Sequence, residues 1–176
     1  LKERIIKITP RLTSRRIYIS MKKPLFKIVL NAPEIPGNTG SIGRTCAALN
    51  LELILIHPLG FDISEKAVRR AGLDYWDSIK ITEYKDFDEF LEKENPGKEK
   101  LFLFTKGSSN NLFKTEIQED SYLIFGSESK GLPKEILESL EEQTVSLPIL
   151  NENIRSLNLA SIVTAASYEV LRKLSI

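Results

Sequence analysis

The sequence contains one cysteine and one histidine among its 176 residues. The single cysteine, Cys46, excludes a disulfide framework and a cysteine-based zinc site, so we expect a protein of a reducing compartment, the cytoplasm, that holds no metal. No apolar run is long enough to cross a bilayer, and no segment resembles a signal peptide. At this length we expect one domain whose core needs no covalent cross-link.

Net charge is also small, at +1, but it is distributed unevenly. Residues 1–20 contain six Lys and Arg against one Glu, a net of +5, which leaves −4 for residues 21–176. The only methionine, Met21, begins a stretch that looks like a natural start. We therefore expect residues 1–20 to be an addition made for expression or a segment upstream of a misassigned start, with a basic arm for a polyanion as the alternative. Residues 21–176 are expected to form the single domain.

Apolar strands alternate with helices along this domain. The predicted strands are 26–30, 51–56, 79–81, 101–105, 122–125 and 145–147, and the predicted helices between them are 39–49, 64–70, 87–93 and 133–140. Continuous apolar strands separated by helices are typical of a sheet whose two faces are both covered. The pattern therefore predicts an α/β fold with a mostly parallel six-stranded sheet and helices on both faces.

The C-terminal segment begins as a short strand that ends at Pro148, which has no backbone donor to extend a ladder. A polar loop follows, and from Leu157 the apolar residues cover nearly the whole circumference of a helix. Ser156 and Asn158 stand where N-caps belong. We expect this helix to pack on its own sheet and on a second subunit; the alternative is an ordinary core helix reached by a plain connection.

Three strand ends carry unusual residues, and ligands of parallel sheets bind beyond the carboxyl ends of the strands. The first strand is followed by the pattern N-x-G-x-x-x-R from Asn38 to Arg44, whose two ends can face one side of a helix start. A dinucleotide-binding fingerprint would need glycine where Asn38 stands and an acidic residue where His57 stands. Arg44 is therefore a candidate site residue, with a solvated helix arginine as the alternative.

Two further patterns follow later strands. The fifth strand leads into G-x-E-x-x-G-L at 126–132, and the sixth leads into L-P-I…S-L-N at 147–158. In this order, each at a strand end, the three patterns resemble the SPOUT superfamily of S-adenosylmethionine (AdoMet)-dependent RNA methyltransferases, and within it the 2′-O-ribose branch. The resemblance covers residues 25–175. The run at 69–76 looks like that of the short tRNA enzymes that methylate the wobble nucleotide of tRNA-Leu.

The resemblance implies a fold, a cofactor and a set of site residues. Its members tie the C-terminal third of the chain into a deep trefoil knot that holds AdoMet in a bent conformation, and they act on RNA as homodimers. The implied cofactor positions are Leu103, Gly126, Leu147, Ile149, Ser156 and Leu157. For the tRNA substrate we favour the cations Lys106, Lys130, Arg69 and Arg70, because phosphate contacts need clustered cations, together with Glu128 and Tyr168.

The chemistry of the implied reaction has one difficult part, because a ribose 2′-hydroxyl is a poor nucleophile near neutral pH. The resemblance gives the task of activating it to Arg44, oriented by Asn38, with Ser156 and Asn158 as helpers. Arginine normally stays protonated, so stabilising the developing alkoxide is easier for it than acting as a base. Glu128 is expected to brace the motifs across the dimer, and Tyr168 is either a core residue or a site hydroxyl.

Other interpretations remain beside this one. The enzyme could modify another tRNA or rRNA site, the chain could be a nicotinamide-dependent enzyme of ordinary Rossmann topology, or it could be a non-catalytic RNA-binding relative. Cys46 is expected to be a small core residue and His57 a strand-end residue.

Overall fold

A computed structural model describes residues 23–64 and 75–174 of the chain. Within these ranges, six strands form one sheet: β1 (Phe26–Asn31), β2 (Glu52–Ile56), β3 (Ile81–Tyr84), β4 (Leu101–Phe104), β5 (Ser121–Phe125) and β6 (Thr144–Val145). The strand order is β3-β2-β1-β5-β4-β6, and every neighbouring pair is parallel. The predicted six-stranded parallel sheet is therefore confirmed.

Helices cover both faces of the sheet, as predicted. The described helices are α1 (Pro36–Leu49), α2 (Phe87–Glu94), α3 (Lys134–Ser139) and α4 (Leu159–Lys173), with short 3₁₀ turns at Trp76–Ser78, Lys98–Lys100 and Glu141–Gln143. Alternate strand residues point to opposite faces. Ile28 packs in one core cluster with α1 and α4, whereas Val29 packs in a second cluster with α2 and residues flanking α3. Cys46 is fully buried in the first cluster, as expected of a core residue.

Several element boundaries differ from the predicted ones. Helix α1 begins earlier because Pro36 occupies its first turn, where a missing backbone N–H has no cost. The third strand is 81–84 and not 79–81. A 3₁₀ turn precedes Ile79, and pairing with β2 begins only at Leu53, which lies opposite Ile81. The sixth strand has two residues, and Ser146 continues it only as an isolated bridge to Asn111. The predicted helix at 64–70 lies outside the described residues, apart from its first residue.

Helix α4 buries one face and exposes the other. Asn158 is its N-cap, and its side-chain oxygen accepts hydrogen bonds from the backbone N–H groups of Ala160 and Ser161; Ser156, the other predicted cap, lies in the preceding loop. The helix packs beside α1, where the hydroxyls of Thr45 and Thr164 are 2.8 Å apart. Its packing on its own sheet is as expected, and packing of the exposed face on a second subunit stays a prediction.

A polar cluster lies beneath α2. The Lys27 ammonium donates to the Glu94 carboxylate and to the Tyr122 hydroxyl, and Tyr84 and Tyr122 each donate a hydroxyl hydrogen bond to Glu94. Burial by itself would raise the pKa of Glu94, but the donors outweigh it and lower that pKa to about 2. The cluster therefore joins β1, β5, the end of β3 and α2 through one ionised carboxylate.

No helix in the described ranges is both long and apolar enough to span a membrane.

Candidate active site

A cavity of about 560 Å³ opens at the carboxyl edge of the sheet. Its walls come from the segments that follow β4, β5 and β6 and from the start of α1. The sequence-predicted site residues that line it are Asn38, Lys106, Gly126, Glu128, Lys130, Leu147, Ile149, Ser156, Leu157 and Asn158. Residues separated by up to 120 positions in the chain thus meet in one place, as expected for ligands that bind beyond parallel strands.

Two glycines shape the loop after β5. A Cβ at Gly126 would lie 2.0 Å from the carbonyl carbon of Gly131 and 2.1 Å from the backbone nitrogen of Leu132. Gly131 has a φ of +74°, in the left-handed region that favours glycine. Ser127 and Gly131 exchange backbone hydrogen bonds across the turn, at 3.2 and 2.9 Å. The loop can therefore close this tightly only with glycine at both positions.

The loops after β1 and β5 are tied together by two acidic side chains. The Glu128 carboxylate accepts hydrogen bonds from the backbone N–H groups of Glu34 (2.7 Å) and Ile35 (3.2 Å) and from the Asn38 side-chain amide (2.9 Å). In return, the backbone N–H and the hydroxyl of Ser129 donate to the Glu34 carboxylate. These contacts of Glu128 lie within one chain, whereas we expected it to brace the motifs across a dimer.

Asn38 and Asn158 extend this network to the C-terminal helix. Glu128, when ionised, can only accept, so the Asn38 amide turns its nitrogen toward Glu128 and its carbonyl oxygen the other way. That oxygen accepts a 2.9 Å hydrogen bond from the side-chain nitrogen of Asn158. Asn158 in turn uses its own oxygen to cap α4. The three patterns that the sequence analysis singled out are therefore joined by a continuous chain of hydrogen bonds.

Arg44 and Tyr168 do not line this cavity. They border a second cleft of about 420 Å³ between α1 and α4, together with Tyr75 and Thr164. Both Arg44 and Tyr168 are exposed, and Tyr168 retains 54% of its accessible surface, so it is not a core residue of the chain. The guanidinium carbon of Arg44 lies 4.9 Å from the centre of the Tyr75 ring. Within one chain, the predicted catalytic arginine and the predicted cofactor cavity are thus separate.

Three further residues were predicted for the site: Leu103, Arg69 and Arg70. Leu103 is fully buried in the core of the sheet and does not line the cavity; Phe104 and Thr105, which follow it, do. Arg69 and Arg70 lie outside the described residues. The sequence analysis missed Arg155, which lines the cavity and lies between the two quoted parts of the third pattern.

The cavity combines apolar walls with charged side chains. Phe104, Phe125 and Leu147 supply apolar surface, and the cations Lys106 and Lys130 line the same cavity. Its volume falls within the range of pockets that hold a nucleoside-sized ligand. In the part of the chain that the structure describes, no group of three or more His, Cys, Asp or Glu side chains is arranged to hold a metal ion.

Comparisons with known proteins relate the chain to RNA methyltransferases. The model of the SpoU rRNA Methylase family matches residues 25–168. A Burkholderia cenocepacia protein named tRNA (cytidine(34)-2′-O)-methyltransferase is 41% identical over 150 residues, which cover 85% of this chain and 96% of that protein. A solved structure described as giving insights into the 2-OH methylation of C/U34 on tRNA has 40% identity and a TM-score of 0.78, covering 85% of this chain and 96% of that one.

A more distant structure shares the fold. The SpoU methyltransferase AviRb from Streptomyces viridochromogenes, solved in complex with AdoMet, has 24% identity and a TM-score of 0.72, covering 88% of this chain and 59% of that one.

Proposed function

The chain belongs to the SpoU rRNA Methylase family, and from this premise we propose that it transfers a methyl group from AdoMet to the ribose 2′-hydroxyl of the wobble nucleotide of a tRNA. The observation that carries the proposal is the cavity in which all three motif segments meet around the Glu128–Asn38–Asn158 chain of hydrogen bonds. Relatives of about 40% identity that span nearly the same length are named for methylation of position 34, which supports the position in the tRNA.

The cavity suits AdoMet in shape and in chemistry. A Cβ at Gly126 would collide with the backbone of Gly131, so glycine lets the loop after β5 close on itself, and this closed loop forms part of the cavity wall. Leu147, Ile149 and Leu157 line the same cavity and would hold the adenine, in part through their main-chain groups. When bound, the cofactor supplies a methyl group on a sulfonium, which makes that group a strong electrophile.

The residues of the chain then have to orient and activate the ribose hydroxyl. Asn38, Asn158 and Ser156 line the cavity and present polar side chains to a sugar. Arg44 would stabilise the negative charge that develops on the 2′-oxygen, since its guanidinium stays charged and offers five N–H donors. A donor aimed at charge that develops in the transition state contributes typically about 10²–10³-fold to a rate.

This assignment requires two copies of the chain. Arg44 borders the α1–α4 cleft and not the cavity of its own chain, so the arginine of one subunit would act beside the cavity of the other. The exposed face of α4 and the apolar residues Leu150 and Ile154, which stand largely in solvent in a single chain, would contribute to the interface. We therefore include a homodimer in the proposal.

The proposal also includes the C-terminal trefoil knot. Strand β6 lies at the edge of the sheet, beyond β4, while α4 returns to pack on α1, which follows the inner strand β1. A chain that runs from the edge back across the sheet must pass the connections that follow β4 and β5. Threading of the tail through one of these connections would account for that path.

The tRNA would meet a surface of clustered cations. Lys106 and Lys130 line the cavity, and so does Arg155, which the sequence analysis had not included. All three can contact phosphates beside the target nucleotide. The run at 69–76 resembles that of enzymes that act on tRNA-Leu, so we propose tRNA-Leu as the substrate.

A methylation assay tests the proposal. Purified protein is incubated with labelled AdoMet and bulk tRNA from a strain that lacks the enzyme, and the modified nucleoside is mapped by mass spectrometry. We expect a 2′-O-methylated nucleoside at position 34 of tRNA-Leu. Arg44→Ala should lower kcat by about 10²–10³-fold without weakening S-adenosylhomocysteine binding, and Lys134→Ala, an exposed cation paired with Glu138 on α3, is the matched control.

Other outcomes would point elsewhere. Methylation at another tRNA or rRNA position would keep the reaction and change the substrate. Tight binding of a nicotinamide dinucleotide, with no binding of S-adenosylhomocysteine in calorimetry, would overturn the proposal in favour of an oxidoreductase. Binding of both S-adenosylhomocysteine and tRNA without methyl transfer would indicate a non-catalytic relative.

A further inference from the structure

We propose that Tyr75 is the positioning residue of Arg44: its aromatic ring holds the guanidinium face-on and leaves the N–H groups of the arginine free for the ribose oxygen. This inference rests on the proposed function, in which Arg44 stabilises the developing alkoxide. Tyr75 borders the α1–α4 cleft and not the cavity, and it acts only through Arg44.

The ring of Tyr75 meets Arg44 in cation–π geometry. The guanidinium carbon lies 4.9 Å from the ring centre, within the distance at which such contacts attract. A second contact holds the ring in place, because the Tyr75 hydroxyl donates a 2.7 Å hydrogen bond to the backbone carbonyl of Gly40. Gly40 precedes Arg44 by one helical turn, so both contacts lie on the same stretch of α1.

The neighbouring residue, Trp76, packs on the same face of α1. The Trp76 ring packs directly on Gly43, where a Cβ would lie 2.8 Å from a ring carbon. Glycine at position 43 is therefore what allows the indole to approach α1 so closely. Tyr75 and Trp76 together clamp one face of α1 at Gly40, Gly43 and Arg44, and they do so at the turn that leads into β3.

The kind of contact matters for what Arg44 can do. In the described part of the chain, no carboxylate forms an ion pair with Arg44. A carboxylate partner would occupy the in-plane N–H donors of the guanidinium and neutralise its charge. An aromatic face restrains the guanidinium from above and leaves those donors and the charge available. A ring is thus better suited than an acid to hold an arginine that has to meet a developing anion.

The substitution series Tyr75→Phe and Tyr75→Leu separates the ring from the hydroxyl. Tyr75→Phe keeps the ring, so kcat for tRNA methylation should stay within about threefold of the original value. Tyr75→Leu removes the ring, so kcat should fall by about tenfold or more, while S-adenosylhomocysteine affinity and the melting temperature stay close to those of the unmodified protein. Phe113→Leu, which removes another exposed aromatic ring away from both cavities, is the matched control.

Two readouts distinguish positioning from general damage. In a double-mutant cycle, Tyr75→Leu should have no further effect on kcat once Arg44 is replaced by alanine. Independently of activity, the Arg44 side-chain Nε–Hε resonance should carry a ring-current shift that Tyr75→Phe keeps and Tyr75→Leu abolishes. If Tyr75→Leu lowers the melting temperature by more than a few degrees, 4-cyanophenylalanine at position 75 replaces it, since it keeps the shape of the ring and weakens its negative face.

The outcomes separate the two proposals. An active enzyme in which Tyr75→Leu leaves kcat and the Arg44 resonance unchanged overturns the positioning role alone. An unmodified protein without methyl transfer overturns the proposed function, and the resonance then still reports whether the ring holds the guanidinium.

Discussion

The side-chain amide of Asn158 donates a 2.9 Å hydrogen bond to the side-chain oxygen of Asn38, across 120 residues of sequence. Asn38 is nine-tenths buried. Its side-chain nitrogen donates to Glu128, and its side-chain oxygen is satisfied by Asn158. The bond links the start of α1 to the start of α4. Both helix starts therefore hold their orientation toward the cavity through one pair of amides.

Asn158 both caps α4 and donates a hydrogen bond to Asn38, and replacing it by aspartate should keep the first role and remove the second. Aspartate still caps α4, because its oxygen can accept from the N–H groups of Ala160 and Ser161, and caps by Asn and Asp are about equally good. It cannot donate to Asn38, and it turns a negative oxygen toward the Asn38 carbonyl. We expect the free energy of unfolding to fall by about 1–3 kcal/mol, the cost of leaving a buried acceptor unpaired. Methyl transfer should fall by about tenfold, because the two helix starts lose the hydrogen bond that links them.

The control for this change is Asn151→Asp, which adds the same charge in the same loop. Its side-chain oxygen accepts from the Asn153 backbone N–H, as an aspartate could, and Asn151 does not line the cavity. Equal loss of activity in both variants would attribute the effect to charge and not to the Asn38 bond.

Glu128→Gln should destabilise the fold. The carboxylate accepts from two backbone N–H groups and from the Asn38 amide, whereas glutamine would turn its own N–H₂ toward one of these donors. We expect the free energy of unfolding, measured by urea titration, to fall by about 1–3 kcal/mol. Glu135→Gln, at an exposed position in the first turn of α3, should change it by a few tenths of a kcal/mol only. Similar losses in both would contradict the bracing role.

Gly126→Ala should abolish binding of S-adenosylhomocysteine. The added methyl group would stand 2.0 Å from the carbonyl carbon of Gly131, which is backbone and cannot move aside cheaply. The loop would have to open, and the wall of the cavity with it, which calorimetry and thermal unfolding would both detect. Gly37→Ala is the control, because a Cβ there meets nothing within 4 Å and alanine in a helix should stabilise the protein by about 0.4–1 kcal/mol.

Stability should fall on the acid side because of Glu94. Its carboxylate has a pKa of about 2 in the folded protein against an ordinary value of 4.5, so its contribution is complete above about pH 4.5. That contribution is lost as the pH falls from 4.5 toward 2, because the unfolded chain binds the proton first. Glu94→Gln should lower stability at pH 7 and flatten the acid limb of a pH series of urea titrations. An unchanged acid limb would contradict the role of Glu94.

Stability on the alkaline side of neutral pH depends on Lys27, the partner of Glu94. Burial alone would lower the pKa of Lys27, but the hydrogen bonds to Glu94 and Tyr122 outweigh it and raise the pKa above its usual value. The stabilisation from Lys27 is therefore present at neutral pH and lost only as the pH rises past the usual lysine range. Lys27→Met should remove that alkaline loss in the same titrations.

Local sequence patterns were sufficient for the elements and for most of the cavity. Runs such as 101–104 are apolar throughout because both faces of the strand are covered, and this property is written in consecutive residues. Glycine at 126 and 131 indicates a close backbone approach without reference to any distant residue. Strand boundaries were harder to predict at the edges of the sheet, where the length of β6 depends on which residues of its neighbour β4 it pairs with.

The positions of single side chains were harder to predict. The spacing of Asn38 and Arg44 placed both at the start of one helix, yet Asn38 faces the cavity and Arg44 faces a different cleft. Leu103 is one residue short of the strand end, so it points into the core and Phe104 forms the wall instead. Which way a residue at a strand end turns depends on the register of the sheet, and no local pattern reports that register.

The sequence by itself determined the parallel sheet, the covering helices and the three motif segments at strand ends, because hydrophobic periodicity, caps and glycines act over a few neighbouring residues. Only the tertiary structure decided that Glu128 grips the start of α1, that Asn158 reaches Asn38, and that Tyr75 lies over Arg44. Each of these contacts joins residues between 31 and 120 positions apart, and their meeting depends on how the packed strands and helices place the loop ends.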